Sequence, residues 1–208
     1  MQSVKTGMEI RLESAGELAI AKLLDLDPRS HDLTAQGQTF DLGSGEIYAA
    51  LPDSKAVDSR YYTYDLSNQV GGIRYIYEVK PQRFCQRHEV LFSAVDTFCR
   101  SKGMRFVVLT REEFGDLLLK NIEVLHQFHR QASSYLANLA EAVDALSIKQ
   151  GHVRQVLKSL EPMNHYLIAA LLNGVLKVDL SSSSILSMDF HVMPAHGELS
   201  MLQVLSYA

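Results

Sequence analysis

The stretch "YIYEVKP", residues 75–81, is a run of strand-formers that finishes on a carboxylate, a valine and a lysine. Side chains on a strand alternate between its two faces. Ile73, Tyr75, Tyr77 and Val79 therefore share one face, and Arg74, Ile76, Glu78 and Lys80 share the other. Glu78 and Lys80 come about 6.8 Å apart along the strand, pointing the same way. Upstream, "YYTYDL" groups Tyr61, Thr63 and Asp65 against Tyr62, Tyr64 and Leu66. If the two segments pair as a hairpin turning through "SNQVGG", their backbones lie about 4.8 Å apart. Asp65, Glu78 and Lys80 then converge at one end of the sheet.

Two hard oxygen ligands with an ammonium beside them suit phosphodiester hydrolysis. A divalent cation lowers the pKa of a bound water and neutralises charge developing on the phosphate. The lysine can orient that water or steady the phosphate oxygens. Flanked by carboxylates, Lys80 is expected to keep its proton, which favours positioning and charge stabilisation over general-base work. Oxygen-rich ligation without a Cys/His cluster favours Mg2+, with Mn2+ as a substitute, over zinc.

The rest of the chain is compatible with such an enzyme. Its 208 residues, 47% hydrophobic and 21% charged, suffice for one large domain or two small ones with a buried core. A net charge of -4 argues against broad polyanion binding, but catalytic carboxylates count toward that sum until metal arrives. No apolar run approaches the roughly 18 to 20 residues that span a bilayer. The start, "MQSVKTGMEIRLES", has no apolar core of a secretion signal. Cys85 and Cys99 fall in a segment that reads as helical, about 21 Å apart at 1.5 Å per residue. That is beyond disulfide reach, and a reducing, cytoplasmic setting is expected.

Along the chain, Leu12–Leu24 reads as a helix with one apolar stripe, Glu17 at its edge, ended by Asp27-Pro28. Short strand-like runs separated by Gly and Pro occupy about 32–80, with "PDSKAVDS" as the expected mobile loop. A helix over 86–100, the strand "MRFVVLT", and a helix capped by Thr110 and opening "REEF" follow. Beyond residue 131, "SSYLANLAEAVDAL", "IKQGHVRQVLKSLE" and "MNHYLIAALLNG" read as three short helices, then "VLKVDL" and "ILSMDFHV" as a hairpin around "SSSS". This is the order of a winged helix-turn-helix. The expected division is a catalytic domain over 1–131 and a winged-helix domain over 132–208.

Asp65, a spacer, and then "EVK" form the D…(D/E)xK pattern of restriction-endonuclease-like nucleases. With "ESAGELAIAKLLDLDP" before it and "SKGMRFVVLTREEF…NIEVLHQFHR" after it, the sequence over about 10–130 resembles the TnsA-type endonuclease subunit of heteromeric, Tn-seven-like bacterial transposases. The resemblance implies an α/β fold with a PD-(D/E)xK nuclease core followed by a winged helix-turn-helix domain. It implies a Mg2+-dependent DNA endonuclease that cleaves the 5′ strands at transposon ends. A separate DDE transposase of the RNase H type and an AAA+ regulator would be its partners. Carried over by position, Glu17, Asp65, Glu78 and Lys80 are the catalytic set, with Asp65, Glu78, Val79 and Glu17 around the metal. Gln36 stands where the family has a glutamine before a strand. Tyr64 stands where the family has a proline before the aspartate.

Other readings stay open. Glu78 and Lys80 also fit an exposed strand end with a surface ion pair. The chain also fits another nuclease of this fold, in restriction or repair, a catalytically silent architectural subunit, or a transcription regulator. Arg60 and Arg74 flank the expected site as candidates for holding DNA phosphates. His126 and His129, three apart in "LHQFHR", could share a helix face as metal ligands, but read as packing or surface residues. Beyond residue 131, four basic residues (Lys149, Arg154, Lys158, Lys177) stand against six acidic ones (Glu141, Asp144, Glu161, Asp179, Asp189, Glu198). A groove-reading helix should be basic, so protein contact is the expectation for that domain.

Overall fold

The hairpin at the centre of the sequence is tighter than its polar flank suggests. Strands β5 (Leu66–Val70) and β6 (Ile73–Val79) pair antiparallel with Val70 opposite Ile73, so only Gly71 and Gly72 form the turn. Both have positive φ, 57° and 81°, as a two-residue turn matched to strand twist requires. "SNQV" is thus strand rather than turn. Ser67 and Asn68 are buried with partners, while Gln69 is exposed: Asn68 accepts from the Tyr77 hydroxyl at 2.9 Å and donates to Ser30 Oγ at 2.7 Å, and Ser67 bonds Thr34 at 3.0 Å. Satisfied this way, they cost little to bury.

The computed structural model describes residues 1–53, 59–144 and 150–207, and the fold is mixed α/β. Residues 54–58 of the expected "PDSKAVDS" loop lie outside the described residues. Two compact units divide the chain: Met1–Asp25, Arg29–Phe114 and Tyr207 in one, Leu26–Pro28 and Gly115–Ser206 in the other. The division falls at Phe114/Gly115, upstream of the expected position 131.

In the first unit, helix α1 (Ala15–Leu26) precedes β1 (His31–Ala35). A small sheet follows, with β2 (Thr39–Asp41) between β3 (Ile47–Tyr48) and β4 (Tyr61–Thr63). The main sheet has the order β1-β5-β6-β7, where β7 is Arg105–Leu109. β5 is antiparallel to both neighbours, while β6 and β7 run parallel. A parallel pair needs a crossover. Helices α2 (Gln82–Cys85) and α3 (Glu89–Ser101) supply it. Cys85 and Cys99 are both free.

Phe92, Val95, Phe98 and Cys99 are the buried residues of α3. Val95, Phe98 and Cys99 join Phe40, Tyr62, Tyr64, Ile76 and Met104 in one cluster. Phe40 stacks on Phe98 with ring centres 4.8 Å apart and meets Tyr64 at 5.4 Å. The cluster draws on β2, β4, β6 and α3, so it locks the small sheet and the main sheet into one body. "YYT" is therefore not the hairpin partner of β6. It belongs to the small sheet, and Asp65 sits in the link between β4 and β5.

In the second unit, α4 (Asp116–Asp144) runs unbroken through position 131. The segment contains neither Gly nor Pro. Its serines bond back to the preceding turn, Ser134 Oγ to Gln131 O at 2.7 Å and Ser133 Oγ to His129 O at 3.4 Å. "REEF" forms only a 3-10 turn, Arg111–Glu113, and Thr110 hydrogen-bonds the Glu113 side chain instead of capping a helix. After α4 come β8 (Gly151–His152), α5 (Val153–Val156), α6 (Met163–Leu172), β9 (Leu176–Lys177) and β10 (His191–Pro194). The sheet order is β8-β10-β9. The expected helix over "IKQGHVRQVLKSLE" shrinks to one turn, with residues 148–149 outside the described residues. "ILS" is a 3-10 turn rather than strand. The buried Asn121 side chain holds the polar turn through Leu180 O, Ser183 O and Ile185 N, at 2.8, 2.7 and 3.0 Å. Among the described residues, no helix is long and apolar enough to cross a membrane.

Candidate active site

The end of β6 gathers the charged groups. Glu78, buried at 5% exposure, lies between β5 and β7 on the face that also carries Ile76. One residue past the strand, Lys80 hydrogen-bonds Leu109 O through its N–H, which continues the β6–β7 ladder and fixes its backbone. Its ammonium bonds Glu78 Oε1 at 2.8 Å and lies 3.9 Å from Asp65 Oδ2.

Asp65 is placed by the main chain on both sides. Its N–H donates to Tyr77 O and its carbonyl accepts from Gln36 N–H, both at 3.1 Å. Gln36 adopts a left-handed φ of 47° to make that contact. The Asp65 carboxylate then accepts the Val79 N–H at 2.7 Å through Oδ2. Among the described residues, no group hydrogen-bonds its Oδ1.

Glu17 arrives from the first turn of α1 and is buried at 6% exposure. Ser14 and Glu17 bond reciprocally in the manner of a capping box: Glu17 N–H donates to Ser14 Oγ at 3.1 Å, and Ser14 Oγ–H to Glu17 Oε1 at 2.8 Å. Glu13 N–H donates to Oε2 at 2.9 Å. Neighbouring Gly16 faces Val79, where a Cβ would stand 3.5 Å from its side chain. Ser14, Gly16, Glu17, Val79, Lys80 and Arg111 line one cleft of about 320 Å³.

Electrostatics tie the set together. Burial, reinforced by the charges of Glu78 and Glu17, pushes the Asp65 carboxyl up to about 6 against the opposing pull of Val79 N–H and Lys80. Burial disfavours the Lys80 ammonium, but Glu78, Asp65 and Glu17 outweigh it and raise its pKa. Lys80 thus keeps its proton, as its flanking carboxylates led one to expect.

Sequence reasoning missed Tyr62. Its hydroxyl donates to Glu78 Oε2 at 2.5 Å, and burial, then the Glu78 charge, drive the phenol pKa far upward. No pattern in "YYTYDL" marks it, because the contact crosses from the small sheet to the main one. Arg74 stands at the other end of β6. Its guanidinium is committed to Gln38 Oε1 at 2.8 Å, Tyr64 OH at 2.9 Å and Ser67 Oγ at 3.3 Å. The exposed Arg60 side chain precedes β4, and its N–H donates to Asp41 Oδ1 at 3.2 Å.

Among the described residues, no three His, Cys, Asp or Glu side chains stand as a ready metal cage. The donor chemistry nevertheless fits a hard divalent cation. Two carboxylates already converge on one cation, the Lys80 ammonium, and among the described residues Asp65 Oδ1 has no hydrogen bond. In comparisons with known proteins, no family model matches this sequence, and no curated protein does.

Proposed function

We propose that this protein is a Mg2+-dependent DNA endonuclease of the PD-(D/E)xK type that cleaves the 5′ strands at transposon ends. In this reading it acts with a separate DDE transposase and an AAA+ regulator, as the TnsA-type resemblance implies. The observation that carries the reading is the meeting of Asp65 and Glu78 on Lys80, both within 4 Å of one ammonium, at the end of a central strand. The element order supports it too: a helix, an antiparallel meander, a crossover helix and a parallel strand.

Asp65, Glu78, Glu17 and Val79 would hold the metal, which supplies an activated water and charge neutralisation at the phosphate. The protein's own groups do the rest. Lys80, kept protonated by three carboxylates, presents a fixed positive charge toward a phosphate in the cleft and stabilises the charge that develops there. Val79 N–H keeps the Asp65 carboxylate aimed at the same point. Ser14 and Glu13 N–H do so for Glu17. Preorganised in this way, the groups need no rearrangement as charge builds.

The second unit reads as a winged helix-turn-helix, from its α-β-α-α-β-β order and the strand order β8-β10-β9. In α6, where such domains place a groove-reading helix, Tyr166–Leu171 are all buried and there is no Lys or Arg. That supports protein contact over base reading for this unit. The test is cleavage of transposon-end duplex, reconstituted with the partner transposase and Mg2+. Wild-type protein should nick the 5′ strands. If Glu78→Ala and Lys80→Ala nick as fast as wild type, the enzyme reading fails.

A further inference from the structure

Glu78 has both of its oxygens occupied, and by partners of different kinds. Oε1 meets Lys80, a long side chain 35% exposed at the cleft. Oε2 meets the Tyr62 hydroxyl, which cannot swing away. Tyr62 is buried at 7% exposure, and its strand is fixed by register, with Phe40 opposite Tyr62. Its ring sits edge-on to Phe106 at 6.1 Å and tilted against Phe40 at 6.3 Å. A phenol has one proton to donate. Here that proton is spent on Oε2.

Resting on the nuclease reading above, we infer that Tyr62 is a positioning residue that pins the Glu78 carboxylate and leaves Oε1 as the oxygen available to a divalent cation. Lys80 can yield that oxygen by a torsional change of a half-exposed chain. Tyr62 can yield Oε2 only by unpacking the core cluster that joins the two sheets. The carboxylate is therefore held by its far oxygen while its near oxygen is exchanged. A hydrogen bond that orients a ligating carboxylate in this way typically changes metal affinity about 10- to 100-fold. It also explains why one segment carries both Tyr62 and Asp65. β4 delivers the phenol to one carboxylate, and the link that follows delivers the second carboxylate.

The test is Tyr62→Phe in the full-length protein, which keeps the ring and removes only the hydroxyl. Mn2+ binding is measured directly, from the electron paramagnetic resonance signal of free Mn2+ during titration, with thermal melting as the check on folding. Tyr62→Phe should raise the Mn2+ dissociation constant about 10- to 100-fold while cleavage at saturating Mn2+ stays within a few-fold. Tyr61→Phe, on the same strand and against Tyr48, should change neither. In a Glu78→Gln background, Tyr62→Phe should add no further loss of affinity. Unchanged Mn2+ affinity in Tyr62→Phe, or an equal loss in the Glu78→Gln background, overturns the positioning role and leaves the nuclease reading intact. A wild-type protein that binds no Mn2+, with or without DNA, overturns both.

Discussion

Arg74 and Glu78 stand on the same face of β6, and both are charged residues in a strand buried from Tyr75 to Val79. Their surroundings differ in kind. Arg74, partly buried, donates through Nη1 and Nη2 to neutral acceptors, an amide oxygen and two hydroxyls. Glu78 shares its end of the strand with Asp65, Glu17 and Lys80, and a cleft opens beside them. A cation in a neutral hydrogen-bond network stabilises the fold and has little left to offer a ligand. A cluster of like charges around one ammonium destabilises the empty protein, and is relieved by binding something positive. The comparison teaches that equal charge and equal strand face do not mean equal role.

The sharpest break in that comparison is functional. Glu78→Ala or Lys80→Ala should lower 5′-strand cleavage by about 10²- to 10³-fold, in line with losing a preorganised electrostatic group. Far-UV circular dichroism should show both variants folded. Arg74→Met should do the reverse. It removes the guanidinium from Tyr64, Ser67 and Gln38, and should cost about 1–3 kcal/mol in urea unfolding. Cleavage per folded molecule should remain.

A third effect is smaller and carries a sign. In EDTA, Asp65 titrates near 6 in the folded state and near about 3.9 unfolded, so the native state binds the extra proton between those values. The proton-linked stability is fully present below about pH 4 and is lost as pH rises through 6. Asp65→Asn should therefore raise the melting temperature by about 2–4 °C at pH 8. That gain should shrink toward zero as pH falls to about 4. A gain that grows on acidification would contradict the burial account. The smallest effect belongs to the exposed Arg60. Arg60→Ala should leave stability within about 0.5 kcal/mol, and reduce the salt slope of DNA binding by about 1 if the side chain holds a phosphate.

Much of the candidate site was legible because strand alternation is a local rule. Glu78 and Lys80 share a face whatever the rest of the chain does, and the spacing from Asp65 allows one hairpin to gather all three. The errors fall where polarity was taken for exposure. "SNQV" looked like a turn, yet Ser67 and Asn68 are buried strand residues whose partners, Thr34, Ser30 and Tyr77, come from other strands or loops. The expected division at 131 falls inside α4, where Ser133 and Ser134 bond back to the preceding turn of the same helix.

By itself, the order of residues determined the alternation along β6 and the charge types at the strand's end. Both follow from side-chain direction along an extended chain. Only the tertiary structure decided that Tyr62 reaches Glu78, that Glu17 lines a cleft with Lys80, and that Arg74 bonds Gln38, Tyr64 and Ser67. Those contacts span two sheets and a helix terminus. Their geometry depends on how the Phe40–Phe98 core packs those elements, which no local pattern encodes.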